Sequence, residues 1–289
     1  MSEIFALKHV QKNYSSFSLN GIDISCQEGT IMGLIGPNGA GKTTIINLLA
    51  GTKRADGGSV EIFGKKITDM TDEDRANIGV IYDSNCLPET LRPAEIEKVF
   101  KGVYKKKWNK EIYYSYVDKM GIPKDKMVKE MSRGNQIKLN VAAALAHSPN
   151  LLILDEITGA LDPIARDEMM RIFLKFIEDE HKSIFFSSHI TTDLEKIADY
   201  ITFINEGEIV FSKEKDSLLY NYFIFRCKAS EFPKMNKKGI VAFRENGGSV
   251  DVIWDKEKGD LDGYQKDLVI EKPSIEEIIL IITKGEKES

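Results

Sequence analysis

Three stretches of this 289-residue chain carry side chains whose types and spacing suit chemistry on a phosphoanhydride: residues 36–43, the pair Asp155-Glu156, and His189. From Gly36 the order is Gly36, Pro37, Asn38, Gly39, Ala40, Gly41, Lys42, Thr43, which follows the G-x-x-x-x-G-K-[ST] spacing. In that pattern the backbone N–H groups wrap the phosphates of a nucleoside triphosphate. The glycines supply positive φ and leave no side chain between backbone and anion. Lys42 is then placed to reach the β- and γ-phosphates, and Thr43 offers a hydroxyl to Mg²⁺. Thr44 continues into a helix whose N-terminal dipole favours negative charge.

Asp155-Glu156 follows four aliphatic residues, 151–154. Burying such a strand leaves both acids at its tip, where they need a partner, and the Mg²⁺ of a nucleotide would serve. His189 follows the buried strand expected over 183–186 through Ser187 and Ser188, so it stands at another strand tip. A lone histidine is more often structural than catalytic, and its position raises it here. Asp83 belongs to the polar stretch 82–85 after the apolar residues Ile78, Val80 and Ile81, again at a strand's carboxyl end, where open α/β sheets place ligand contacts.

The elements that must position these groups are readable around them. Ile31, Met32, Leu34 and Ile35 make a buried strand, and Ile45, Ile46, Leu48 and Leu49 give the following helix an apolar face. Residues 3–27 read as edge strands with Tyr14 at a turn, and pattern alone makes Tyr14 a half-buried aromatic. Residues 59–63 form another strand. Residues 93–129 are charged and helix-compatible and read as a helical insertion. A loop is expected at 131–135, with an alanine-rich helix over 136–147. Residues 158–163 form a turn containing Asp162, residues 164–181 an amphipathic helix, and 201–211 a hairpin. Beyond residue 213, short strands near 222–227, 240–243 and 250–254 are separated by lysine-rich turns. A last helix is signalled by Ser274 with Glu277 as a capping box and by Ile275, Ile278, Ile279 and Ile282.

Bulk properties exclude several classes. The net charge of −5 gives no electrostatic footprint for nucleic acid. Cys26, Cys86 and Cys227 are odd in number and widely spaced, which argues against a disulfide framework or zinc site and fits a reducing cytosol. No apolar run approaches the ~20 residues that cross a bilayer, and the N-terminus has no secretory pattern. A membrane process would need another polypeptide for the crossing.

In order along residues 1–213, these motifs resemble the ATP-binding subunits of ABC transporters. Residues 36–44 look like the Walker A loop, 151–156 like Walker B, 131–135 (M-S-R-G-N) like the LSGGQ loop, 158–162 like the D-loop, and His189 like the switch histidine. Tyr14 matches the aromatic that stacks on adenine, which reverses the bland reading of that residue. The resemblance implies an α/β fold of the ABC type of P-loop NTPase: a parallel core sheet, an antiparallel β edge and a helical subdomain over about 86–147. The ATPase domain would span 1–213, with a small α+β appendage over 214–289. It also implies ATP and Mg²⁺ as cofactors, and a homo- or heterodimer in which Ser132 and Gly134 complete the partner's site. A transmembrane permease subunit would be driven from the cytoplasmic face of the membrane. Lys42 and the loop residues 36–44 would hold the phosphates, Thr43, Asp155 and Asp83 the metal, while Glu156 polarises water and His189 stabilises charge. Arg133, Asn135, Ile157 and Asp83 depart from the family pattern. The departures at 133, 135 and 83 motivate a second reading, a poorly hydrolysing regulatory or half-site module. The S-R-G loop and the short tail look most like ATPases of drug or peptide exporters.

Overall fold

A computed structural model describes residues 2–84, 86–259 and 268–286. The chain divides into two compact units after Ser212.

The first unit is built on a six-stranded sheet in the order Glu208–Glu214, Tyr200–Asn205, Ile31–Ile35, Ser183–Ser187, Leu151–Asp155, Ile78–Ile81. Ile31–Ile35 pairs in parallel with Tyr200–Asn205 on one side and with Ser183–Ser187 on the other, and parallel pairing continues out to Ile78–Ile81. Every residue of Ile31–Ile35, Leu151–Asp155 and Ser183–Ser187 is buried, which explains why apolar residues dominate them. In register, Ser187 lies opposite both Leu34 and Asp155. Three strand tips therefore end side by side.

A second, antiparallel sheet orders Ser18–Gln27, Glu3–Asn13, Gly57–Ile62 and Lys65–Lys66. Its inner face shares one apolar core with the parallel sheet, and Phe5 meets Phe185 edge-on at 5.1 Å. The insertion is helical: Pro93–Tyr104, Lys110–Lys119 and Arg133–Ala146. Pro93 opens the first of these, where its missing N–H costs nothing. Asn109 caps the second by accepting from the Ile112 N–H at 3.0 Å.

Two sequence boundaries needed correction. Residues 133–135 are not loop: the helix begins at Arg133, because the Ser132 hydroxyl accepts from the Asn135 N–H at 3.3 Å and caps it. The helix expected to reach residue 181 is Pro163–Phe176. Glu178, Asp179 and Glu180 would put negative charge on its C-terminal dipole, and the Asp179 carboxylate instead accepts from the His181 N–H at 3.2 Å to form a turn.

The second unit is a four-stranded sheet in the order Ile240–Asn246, Ser249–Asp255, Tyr222–Lys228, Val269–Glu271, all antiparallel. Gly247 and Gly248 join its first two strands with φ of 57° and 95°, the sign that a two-residue hairpin turn requires. Helix Ile275–Lys284 packs Ile275, Ile278, Ile281 and Ile282 inward, and Ser274 and Glu277 form the capping box. Helix Lys215–Asn221 and strand Val269–Glu271 had no clear sequence signal.

Candidate functional site

Strand Ile31–Ile35 runs into the glycine loop, and helix Lys42–Leu49 starts directly after it. Gly41 caps that helix at φ 112°, a conformation open to glycine, and a Cβ there would lie 2.6 Å from Leu19 and 2.8 Å from Phe17. At Gly36 a Cβ would stand 2.4 Å from the Ile204 carbonyl oxygen. Packing and backbone twist thus both demand the glycines. Around Gly39 the space stays open, as a cradle for an anion requires.

Lys42 is only 6% exposed. Its Nζ donates to the carbonyl oxygens of Gly36 at 2.7 Å and Pro37 at 3.2 Å, and stands 3.2 Å from Glu156 Oε1. Asn38, Gly39, Gly41, Lys42, Thr43, Thr44 and Glu156 line an open cleft of about 520 Å³. Residues 14–17 form its other wall. Tyr14 is 41% exposed there, with its ring stacked on Phe17 at 6.4 Å and 29°. Ala40 is buried behind the loop.

At the neighbouring tip, the Thr43 hydroxyl donates to Asp155 Oδ2 at 3.1 Å and the Ser187 hydroxyl donates to Asp155 Oδ1 at 2.7 Å. Burial pushes the Asp155 carboxyl up from its ordinary range, and these two hydroxyls pull part of the way back. Glu156 sits at φ 52°, an uncommon conformation for a residue with a side chain. Its N–H donates to the Ser187 carbonyl at 3.1 Å and lies 3.2 Å from the Ser187 hydroxyl, which helps hold the strained backbone. Glu156 Oε2 accepts from the His189 N–H at 3.1 Å and pairs with His189 Nδ1. Burial pushes the Glu156 carboxyl up, but hydrogen bonding to His189 and the charge of Lys42 outweigh it, so the group lies below its ordinary value and is ionised at neutral pH.

The structure brings Lys42, Thr43, Asp155, Glu156 and His189 into one connected network beside the cleft. Ser132, Gly134 and Asp83 are not among the residues lining that cleft. Ser132 is exposed at its helix cap, Gly134 faces the Ala160 carbonyl, and Asp83 pairs with Arg133. Ser187 had no role assigned from sequence. Its bridging of Asp155 and Glu156 depends on strand register, which no local pattern reveals.

The donor set suits Mg²⁺. A hydroxyl and a carboxylate converge, both hard oxygen ligands, and Mg²⁺ in nucleotide sites takes few protein ligands beside phosphates and water. Among the described residues no group of three or more His, Cys, Asp or Glu could hold a metal by itself.

A parallel sheet delivering a glycine cradle and a strand-tip carboxylate to one cleft defines a P-loop nucleotide-binding protein. The ABC transporter family pattern matches residues 19–159. The chain is 34% identical over 216 residues to the bacitracin transport ATP-binding protein of Bacillus licheniformis, covering 73% of this chain and 69% of that one. It is 35% identical over 216 residues to the lantibiotic transport ATP-binding protein of Streptococcus pyogenes, covering 73% and 90%. Among solved structures, a dimeric ATP-binding cassette in a post-hydrolysis state with ADP and Pi superposes with a TM-score of 0.66 at 22% identity, covering 73% of this chain and 98% of that one. This chain belongs to the ATP-binding proteins of the ABC transporter family. Among the described residues, no helix is long and apolar enough to cross a membrane.

Proposed function

We propose that this protein hydrolyses ATP with Mg²⁺ and energises export of a substrate, of the peptide-antibiotic class, through a separate membrane-spanning partner. The transport roles in the names of the bacitracin and lantibiotic relatives support the substrate class. The partner would hold this subunit at the cytoplasmic face of the membrane.

The observation that carries the catalytic reading is the placement of Glu156: an ionised carboxylate at the cleft wall, held between Lys42 and His189. In this reading Lys42 turns from the Gly36 and Pro37 carbonyls to the phosphates, which would also fill the cradle at Gly39. Thr43 and Asp155 would hold Mg²⁺, which supplies neutralisation of phosphate charge when bound. Glu156 accepts a proton from the attacking water, and His189 orients that carboxylate and stabilises charge developing beside it. Tyr14 offers an exposed ring to the base. Asp83, held by Arg133, would reach the metal only on leaving that pair.

Ser132 and Gly134 lie outside their own chain's cleft, which supports their serving a second ATPase subunit in a homo- or heterodimer. The test is Glu156→Gln. Calorimetry should register Mg-ATP binding within about twofold of wild type, while phosphate release falls by roughly 10²–10⁴. Unchanged hydrolysis would remove Glu156 from its role.

A further inference from the structure

Behind the Glu156–His189 pair lies a charged contact that neither cradle nor cleft accounts for. Arg166 sits one turn into helix Pro163–Phe176, after Asp162 caps it by accepting from the Ile164 and Ala165 N–H groups at 3.0 Å each. Its Nη2 donates back to the Leu161 carbonyl at 3.5 Å, and its Nε stands 3.8 Å from Asp193 Oδ2. Asp193 is 2% exposed and lies on helix Thr191–Ile197, which begins just after His189. Arg166 Nε and Asp193 Oδ2 are both buried and neither has a hydrogen-bond partner among the described residues.

We propose that Arg166 and Asp193 are positioning residues that fix His189 relative to Glu156. The proposal rests on the ATPase reading above. The two segments bearing that pair meet at Gly159, where a Cβ would stand 3.4 Å from His189 Cε1. The Arg166 guanidinium joins the same two segments a second time, through Leu161 on one side and Asp193 on the other. A charge pair is a costly way to fill that space, because desolvation offsets most of its attraction, and an apolar replacement of similar volume is commonly as stable. What charge adds here is a fixed separation between two short segments. A shift of about 1 Å in a catalytic group can lower turnover by 10²-fold.

The experiment compares wild type, Arg166→Lys, the neutral pair Arg166→Met with Asp193→Leu, and that pair combined with His189→Ala. The neutral pair should keep its thermal transition and bind Mg-ATP within about twofold, yet turn over roughly tenfold or more slowly. Arg166→Lys should recover most of the rate, and in the His189→Ala background the neutral pair should lower it no further. Full turnover in the neutral pair, or an undiminished loss in the His189→Ala background, overturns the proposal. The His189 Cε1–H resonance, read without nucleotide, should move in the neutral pair; an unmoved resonance also overturns it. Wild type that binds Mg-ATP but releases no phosphate would instead defeat the ATPase reading, and the resonance would still decide whether the pair positions His189.

Discussion

Two carboxylates at neighbouring strand tips meet cations in different surroundings. Glu156 faces Lys42 with side-chain exposures of 19% and 6%, whereas Asp83 faces Arg133 with exposures of 44% and 60%. The first pair is shielded from water, shares its carboxylate with His189 and rests on a strained backbone fixed by Ser187. The second is screened by solvent and salt. Similar charges at similar sheet positions should therefore differ in leverage, and burial is the variable that separates them.

The sharpest attempt to break this contrast is Lys42→Met. It removes the donor to two carbonyls and the cation beside Glu156, in the wall of the cleft. Calorimetry should show the Kd for Mg-ATP rising at least ~100-fold, about 3 kcal/mol. A change within threefold would mean that burial gives this cation no special weight.

His147 extends the contrast to a group outside the cleft. It is 1% exposed, stacked on Tyr104 with ring centroids 3.8 Å apart. Burial pushes its imidazole down to about 4, against a smaller opposing pull from the backbone of Ala143 and Ile78. The unfolded chain therefore takes up the proton first, near the ordinary value of 6.5. Stability contributed by the neutral ring is complete above 6.5, falls as pH drops from there to about 4, and is flat below. The shift corresponds to roughly 3 kcal/mol. Urea unfolding across this window should show that decline, and His147→Phe should flatten it. An equal slope in both proteins would exclude His147 as its source.

Ser187→Ala comes next. It leaves Asp155 Oδ1 with one fewer donor at a buried carboxylate and loosens the strained Glu156. Loss of a hydrogen bond to a charged group predicts about 1.5–3 kcal/mol, to be read as a lower thermal midpoint together with reduced turnover. If only the midpoint moves, Ser187 serves the fold and not the site.

The residues that could be read in advance are those whose signal is local. The glycine loop announces itself by spacing, and Asp155, Glu156 and His189 each follow an apolar run whose burial forces the next polar residues to the strand tip. What escaped depends on register or on distant partners. Ser187 matters because parallel pairing sets it opposite Asp155, and Arg166 meets Asp193 across a gap that no periodicity spans. The start of helix Arg133–Ala146 escaped through a single cap hydrogen bond, and Val269–Glu271 because three residues form a strand only against their neighbour Tyr222–Lys228.

The Asp83–Arg133 pair supplies the smallest effect and the finest test of the comparison. Asp83 and Arg133 both depart from the pattern that the family resemblance implies, and each departure places a charge that the other meets. Exposed pairs contribute about 0.2–1 kcal/mol, less at high salt. A double-mutant cycle with Asp83→Gln and Arg133→Gly should therefore return a coupling energy below about 1 kcal/mol in chemical unfolding, shrinking between 0.05 and 0.5 M salt. The charge-reversed pair, Asp83→Arg with Arg133→Asp, should restore what either single reversal loses, because no other group is needed to recognise the contact. A coupling above about 2 kcal/mol, or one indifferent to salt, would mean that the pair is shielded in solution, and the distinction drawn between these two strand tips would collapse.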